Sequence, residues 1–249
     1  MQSRTRIVGW CIDRLKFYSM LLKWILRYKF YDLSLKDNSL MGSFLQVKTD
    51  IEMSMMEVYN ERIRDLLNRT AHQDQTLEVR LAKFGVVVEN LGLWPVSNLT
   101  EAISLFESGT SARRVSSTDD NEFSSRSHLV TVVRVNRHNM RTGEKFAGVL
   151  HLVDLAGSEK VKMSSASGTR LREAQHINKS LGALADVITA LATKQRQIPY
   201  RNSKLTFLLQ DVLKENSKVV MITCINPIPD NLYESISTLT FGLKCRSVV

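Results

Sequence analysis

Val149-Leu-His-Leu-Val-Asp-Leu-Ala-Gly157 reads as a buried β-strand that breaks off in Asp154-x-x-Gly157. Apolar residues run almost without interruption up to a carboxylate and then a glycine, the pattern of a strand covered on both faces. A carboxylate at the C-terminal end of a strand in an open α/β sheet lies where such sheets bind ligands. In phosphate-transfer sites an aspartate there holds magnesium, usually through water. The glycine lets a backbone N–H approach a terminal phosphate with no side chain in the way. An ordinary strand-end turn also accounts for these four residues.

Upstream, Asn121-Glu-Phe-Ser-Ser-Arg-Ser-His128 leads directly into another β-rich run over 129–135. Hydroxyls on such a loop can ligate magnesium or touch phosphate oxygens, and the Arg126 guanidinium can grip a carboxylate bidentately. A serine-rich solvent loop is the plain alternative.

Around these two stretches the pattern is mixed α/β, with further β-rich runs over 47–59, 86–88 and 219–225. Asn98-Leu-Thr-Glu101 predicts a helix start, Asn98 as N-cap and Glu101 three residues on, with Gly109 closing that helix. A longer helix is predicted from near Arg170, where Ala174, Ile177, Leu181, Leu184, Ile188 and Leu191 make one apolar stripe. Arg172, Gln175, Lys179 and Asp186 fall opposite. A third helix is expected over 204–214.

The composition belongs to a globular protein: 249 residues, 43% hydrophobic and 24% charged, with only 4 Pro and 11 Gly. One domain with a real core fits that length better than two small ones. Cys11, Cys224 and Cys245 are odd in number and far apart, against both a disulfide framework and a zinc site, and in keeping with a reducing compartment. No apolar run approaches the ~18–20 residues of a membrane span, so the expected location is cytoplasmic.

Residues 1–45 differ from the rest. Trp10, Phe17, Tyr18, Trp24, Tyr28, Phe30 and Tyr31 crowd among Lys and Arg, and a helix over about 12–28 is predicted. It reads either as a helix of the main domain or as a basic aromatic helix on a membrane surface.

The formal charge is +9, and most of the excess is local. Residues 160–204 hold nine Lys or Arg against Glu173 and Asp186, a net +7. A solvated basic face is the ordinary reading. Concentration around one helix and its flanking loops favours an acidic macromolecular partner. A nucleic-acid or membrane binder built on the N-terminal aromatics would leave every motif after residue 46 without a use.

Taken together, Glu57-Val-Tyr-Asn-Glu-Arg-Ile-Arg-Asp-Leu-Leu67, the Gly109…Arg113…Thr118…Asn121 spacing, Ser-Ser-Arg-Ser-His (124–128), Asp-Leu-Ala-Gly-Ser-Glu (154–159), His-Ile-Asn-Lys-Ser-Leu (176–181) and Pro-Tyr-Arg-Asn-Ser-Lys-Leu-Thr (199–206) resemble the kinesin motor domain. They occur in the family's order over residues 46–249. The resemblance implies an α/β, kinesin-type P-loop NTPase fold, with a mixed, mostly parallel central sheet flanked by helices. The expected division is a divergent N-terminal segment, 1–45, and a partial motor domain, 46–249.

The resemblance also implies site roles. Ser125 would reach Mg2+ and Ser124 would stand near the attacking water. Asp154 would lie in the magnesium shell, and the Gly157 amide would sense the γ-phosphate of ATP. Arg126 and Glu159 would form the salt bridge that closes the two switches. Arg113, Asn121 and Ser127 would complete the nucleotide surroundings. The helix bearing Asn178 and Lys179 would lie on tubulin, joined by Lys160, Lys162, Lys194, Arg196, Tyr200, Arg201 and Lys204. The implied partner is the microtubule, whose acidic surface suits the local excess of cations, with no nucleic acid and no membrane span. Any dimer would form through regions outside this chain.

One family hallmark is missing. The P-loop, G-x-x-x-x-G-K-[ST], holds the β- and γ-phosphates, yet none of the eleven glycines is followed by Lys. Three lost charge-assisted hydrogen bonds at ~1.5–3 kcal/mol each would weaken nucleotide binding by a factor on the order of 10³ or more. The expectation is therefore a microtubule-stimulated ATPase motor, truncated here, or an ATPase-inactive microtubule-binding module. Without the P-loop strand a central position in the sheet is expected to stand unfilled. Smaller departures are Ala112, Asp120 and Phe207, the last removing a tubulin contact.

Overall fold

The computed structural model describes residues 6–9, 47–68, 76–83, 85–115, 126–158, 169–214, 217–226 and 228–248. The helix expected over 12–28 lies outside them.

Two long strands organise the sheet. β2 (Val47–Tyr59) and β7 (His128–Asn139) run antiparallel from Val47↔Asn139 to Val58↔His128. β3 (Arg62–Asp65) folds back on β2, β8 (Lys145–Asp154) folds back on β7, and the two-residue β6 (Trp94–Pro95) pairs beside Glu52 and Met53. The order is β3-β2-β7-β8 with β6 also on β2.

This sheet is antiparallel throughout, which corrects the expected mostly parallel one. For β2–β3 and β7–β8 the cause is connection length, since parallel neighbours need a crossover and these pairs are joined by tight turns. Asn60 and Glu61 both take positive φ (48° and 59°), the conformation of a two-residue type I′ hairpin loop. The single parallel pair among the described strands joins β1 (Arg6–Gly9) to β9 (Val220–Thr223), a sheet of its own. Among the described residues β8 has no strand on its far edge.

Side-chain parity then divides the core. Met53, Met55, Leu129, Val133 and Leu152 face α1 (Leu99–Val115), where Ala102 and Phe106 meet them. Met56, Val58, Val130 and Val132 face the other way, toward the hairpin of β4 (Val79–Ala82) and β5 (Gly85–Val88) and toward α3 (Lys204–Leu208). α2 (Thr169–Ala192) and α4 (Leu232–Arg246) close a third cluster through Leu184, Ile188, Leu205, Leu209 and Cys245. Helices on both faces of a sheet make the α/β class.

The N-terminal signal of α1 is found: Asn98 Oδ1 accepts from the Glu101 N–H at 2.9 Å, and Glu101 Oε2 accepts from the Ser97 N–H at 2.7 Å. Its predicted stop is not. α1 runs through Gly109 to Val115, because that glycine serves packing: a Cβ there would stand 2.3 Å from Met55 Sδ. In α2 the stripe is wider than predicted, with Ser180, Ala183, Val187 and Ala190 buried beside Ile177, Leu184 and Ile188, while Lys179 and Asp186 are exposed. α3 stops at Leu208, short of the expected 214, and continues as hydrogen-bonded turns such as Leu213 N–H to Leu209 C=O. α4 was not anticipated, for a reason visible in its burial: Leu232, Ile236, Leu239 and Leu243 are exposed, whereas Gly242 and Cys245 are buried.

Candidate functional site: a buried charge cluster and a basic helical face

The antiparallel register settles where the two motif loops meet. Leu129 pairs with Asp154, so the strand that follows Ser-Arg-Ser-His begins where the strand ending in Asp-x-x-Gly finishes. Ser127 and Asp154 are both buried at this end of the sheet.

Arg113, near the end of α1 and 2% exposed, ties them together. Its Nε donates to Ser127 Oγ at 3.1 Å, one Nη to the Ser127 carbonyl at 2.8 Å, and the other to Asp154 Oδ2 at 3.1 Å. Glu57 Oε1 lies 3.8 Å from the same guanidinium, and Glu57 Oε2 accepts from Arg64 at 2.7 Å. Two guanidiniums and two carboxylates thus alternate, Arg64–Glu57–Arg113–Asp154, spanning β3, β2, α1 and β8. Burial of such charges is tolerable because each has an opposite neighbour. Glu57 is a member that sequence reasoning missed. Its signal was a carboxylate at an inward-facing position of an otherwise buried strand.

His128 forms a second junction. Its Nδ1 accepts the Ala156 N–H at 2.9 Å, and its Nε2 stands 2.8 Å from Ser180 Oγ on α2. Gly157 is buried beside it and Arg126 is half-buried. Ser124, Ser125, Asn121 and Glu159 lie outside the described residues.

For a nucleotide with its magnesium, the described residues fit one end only. Asp154 and the Gly157 backbone stand at a strand end suited to a terminal phosphate. The Asp154 carboxylate, however, already faces a guanidinium, and the sequence carries no Gly-Lys cradle. Among the described residues no three His, Cys, Asp or Glu gather closely enough to hold a metal.

The basic residues form another assembly. α2, the 3-10 turn Tyr200–Asn202 and α3 pack on one another. Asn178, Lys179, Lys194, Arg196 and Arg201 are exposed, while Tyr200 and Lys204 are half-buried. Lys194 takes positive φ (53°) just past the end of α2, where the Gln195 N–H returns to the Ala190 carbonyl and turns the chain. Pro-Tyr-Arg-Asn-Ser-Lys-Leu-Thr has a local reason: Ser203 Oγ accepts from the Thr206 N–H at 3.1 Å, and Thr206 Oγ1 accepts from the Ser203 N–H at 3.2 Å. This capping box starts α3. Lys160 and Lys162 lie outside the described residues.

Two of these cations have partners within the chain. Lys204 pairs with Glu78, and its backbone N–H donates to Glu61 Oε2 at 3.0 Å. Arg201 lies over the Phe207 ring, 5.6 Å from its centroid. Arg201, Lys204 and Phe207, with Glu61 and Arg80, line an open groove of about 480 Å³.

Beneath it, Asp211 accepts from the Val86 N–H and pairs with Lys214. Partial burial works to raise the Asp211 carboxyl, but Lys214, the Val86 N–H and His151 hold it below its ordinary value. Burial, aided by the Asp211 charge, raises the Tyr200 phenol. Burial and the Arg134 cation lower His151, against an opposing pull from Asp211.

Comparison with known proteins gives this geometry a family. The kinesin motor domain profile matches residues 19–248. The chain is 48% identical over 200 residues to the kinesin-like protein KIN-14G of Arabidopsis thaliana, covering 80% of this chain and 20% of that protein. It is 46% identical, with the same coverage, to KIN-14K of Oryza sativa subsp. japonica. It therefore spans about a fifth of the length of these curated relatives. Among solved structures, that of a fast kinesin superposes with a TM-score of 0.78 at 35% identity, covering 99% of this chain and 71% of that one. The KIF14 dimer in its two-heads-bound state, with AMP-PNP and in complex with a microtubule, gives 0.82 at 32%, covering 99% and 72%. By sequence and by fold, this chain belongs to the kinesin motor domain family.

Proposed function

We propose that this chain works in a microtubule motor that couples ATP binding and hydrolysis to microtubule binding and movement, on the cytoskeleton. In that reading it supplies the microtubule-binding face and the switch half of the nucleotide site. The observation that carries it is the junction of Ser127 and Asp154 through Arg113, which brings both motif loops to one sheet end.

Asp154 and Ser125 would stand in the magnesium shell, Ser124 near the attacking water, and the Gly157 amide against the terminal phosphate. Arg126 would pair with Glu159, and Asn121 would complete the nucleotide surroundings. Bound ATP would supply the phosphoryl group for transfer. What the chain's own residues do is position the acceptor end, since a buried guanidinium fixes the Asp154 carboxylate. Asn178, Lys179, Lys194, Arg196, Tyr200, Arg201 and Lys204, with Lys160 and Lys162, would meet the acidic surface of tubulin.

A second reading, an ATPase-inactive microtubule-binding module, is favoured by the absent Gly-Lys and by the Arg113 charge already set against Asp154. Pelleting the purified chain with microtubules, with and without ATP, separates the two. Release by ATP, or microtubule-stimulated phosphate production, supports the motor. Pelleting indifferent to ATP supports the module. Failure to pellet under either condition would overturn both.

A further inference from the structure

We infer that His128 and Ser180 are positioning residues that tie the phosphate-facing loop to the microtubule-facing helix. The inference rests on the functional reading above for what lies at the two ends. The tie itself rests on geometry.

His128 and Ser180 are each 3% exposed, His128 opening β7 and Ser180 in the middle of α2. The His128 ring bridges the loop after β8 to α2. Nδ1 accepts the N–H of Ala156, the residue before Gly157, at 2.9 Å. That fixes the neutral tautomer, so Nε2 carries the proton and donates to Ser180 Oγ at 2.8 Å. Ser180 in turn donates its hydroxyl proton to the Ile177 carbonyl at 2.9 Å, within its own helix. Every donor in this relay faces an acceptor.

The turn of α2 that carries Ser180 also carries Asn178 and Lys179, both exposed. A partner that shifts α2 therefore either breaks the His128–Ser180 bond inside the protein or carries the ring along. Breaking it leaves a buried N–H without its acceptor, which is costly. Carrying the ring moves the acceptor of the Ala156 amide and, with it, the Gly157 backbone. A packed interior transmits such shifts because it has little free volume to absorb them. Force on the helix thus has a hydrogen-bonded route to the phosphate loop through this imidazole, beside the apolar packing of Leu155 on the cluster of Leu184 and Ile188.

Hydrogen exchange on the whole 249-residue chain, free and on microtubules, tests this with Ser180→Ala and the hydroxyl-retaining Ser180→Thr. In the free chain, Ser180→Ala should speed exchange of the Ala156 amide about tenfold, while Ser180→Thr restores it. On microtubules, the wild-type chain and Ser180→Thr should show slowed exchange across 154–158. Ser180→Ala should bind microtubules within about twofold of wild type yet show clearly less slowing there. A ring-nitrogen spectrum should place the His128 proton on Nε2. Equal free-chain rates, a proton on Nδ1, or an undiminished microtubule response in Ser180→Ala would each overturn the inference. If the wild-type chain fails to pellet, the functional reading falls, while the free-chain rates and the tautomer still decide the tie.

Discussion

Arg113 and Asp154, 41 positions apart in the chain, meet at 3.1 Å in a site from which water is almost wholly excluded. The contact joins the last turns of a helix to the final residue of a strand, and Ser127 and Glu57 share the same guanidinium. Removing one partner of such a set strands the others. Arg113→Ala should lower unfolding free energy by about 3–5 kcal/mol, read from urea titration. Arg113→Lys should recover only part, since an ammonium cannot serve Ser127 and Asp154 with a planar fork. A loss below about 1 kcal/mol would show that the charges are not buried as described.

Gly109 and Gly182 both lie inside helices, and the same substitution should act on them with opposite sign. Gly182 is exposed and nothing approaches within 4 Å of a Cβ built there, so Gly182→Ala should stabilise by about 0.5–1 kcal/mol through backbone entropy. At Gly109 the new methyl would meet Met55 Sδ at 2.3 Å and Leu67 Cδ2 at 3.2 Å. Overpacking of about 1–3 kcal/mol then outweighs the helix-propensity gain, and Gly109→Ala should destabilise. Thermal midpoints that move the same way in both variants would contradict this.

What was legible in the sequence was mostly what is local. The β2 strand falls on its predicted bounds, because a run rich in apolar and β-branched residues ends at a turn. The start of α1 was readable from Asn98 and Glu101, since capping acts over three or four residues. Gly109 misled because a helical glycine reads alike whether it ends the helix or lets a neighbouring side chain close in. The four-member charge chain was invisible, as Glu57 and Arg113 come together only after β2 and α1 have packed. Of the predicted site, Arg113, Ser127 and Asp154 converge, while the exposed cations stand on a separate helical assembly.

The Lys204–Glu78 pair gives the basic face an internal competitor. Both side chains are partly exposed, so the pair contributes at most about 1 kcal/mol. Glu78→Gln should free Lys204 and tighten microtubule pelleting by up to about fivefold at low salt. Lys204→Ala should weaken it, and both effects should shrink as salt rises. Equal affinity of Glu78→Gln and wild type at low salt would show that Lys204 is not part of the binding face.

His151 makes stability depend on pH with a definite sign. Its folded value lies below the ordinary ~6.5, so the unfolded chain takes up the proton first as pH falls. Stability is therefore intact above about 6.5 and declines as the pH drops below it toward the lower folded value. Asp211, also held low, continues the decline near and below the ordinary carboxylate range. His151→Gln should flatten the first part of the curve and leave most of the second, which Lys214 and the Val86 N–H sustain, as followed by urea midpoints from pH 7.5 downward.

The reversal at Asn60-Glu61 has a consequence for any attempt to improve the protein. Glycine is the easier residue at the second position, and Asn-Gly would make a looser, more comfortable corner there. It would also delete the carboxylate with which Glu61 grips the first amide of the short helix beginning at Lys204. Local comfort and distant anchorage are set against each other at one residue. A strained corner is retained as a clasp between the β2–β3 hairpin and α3.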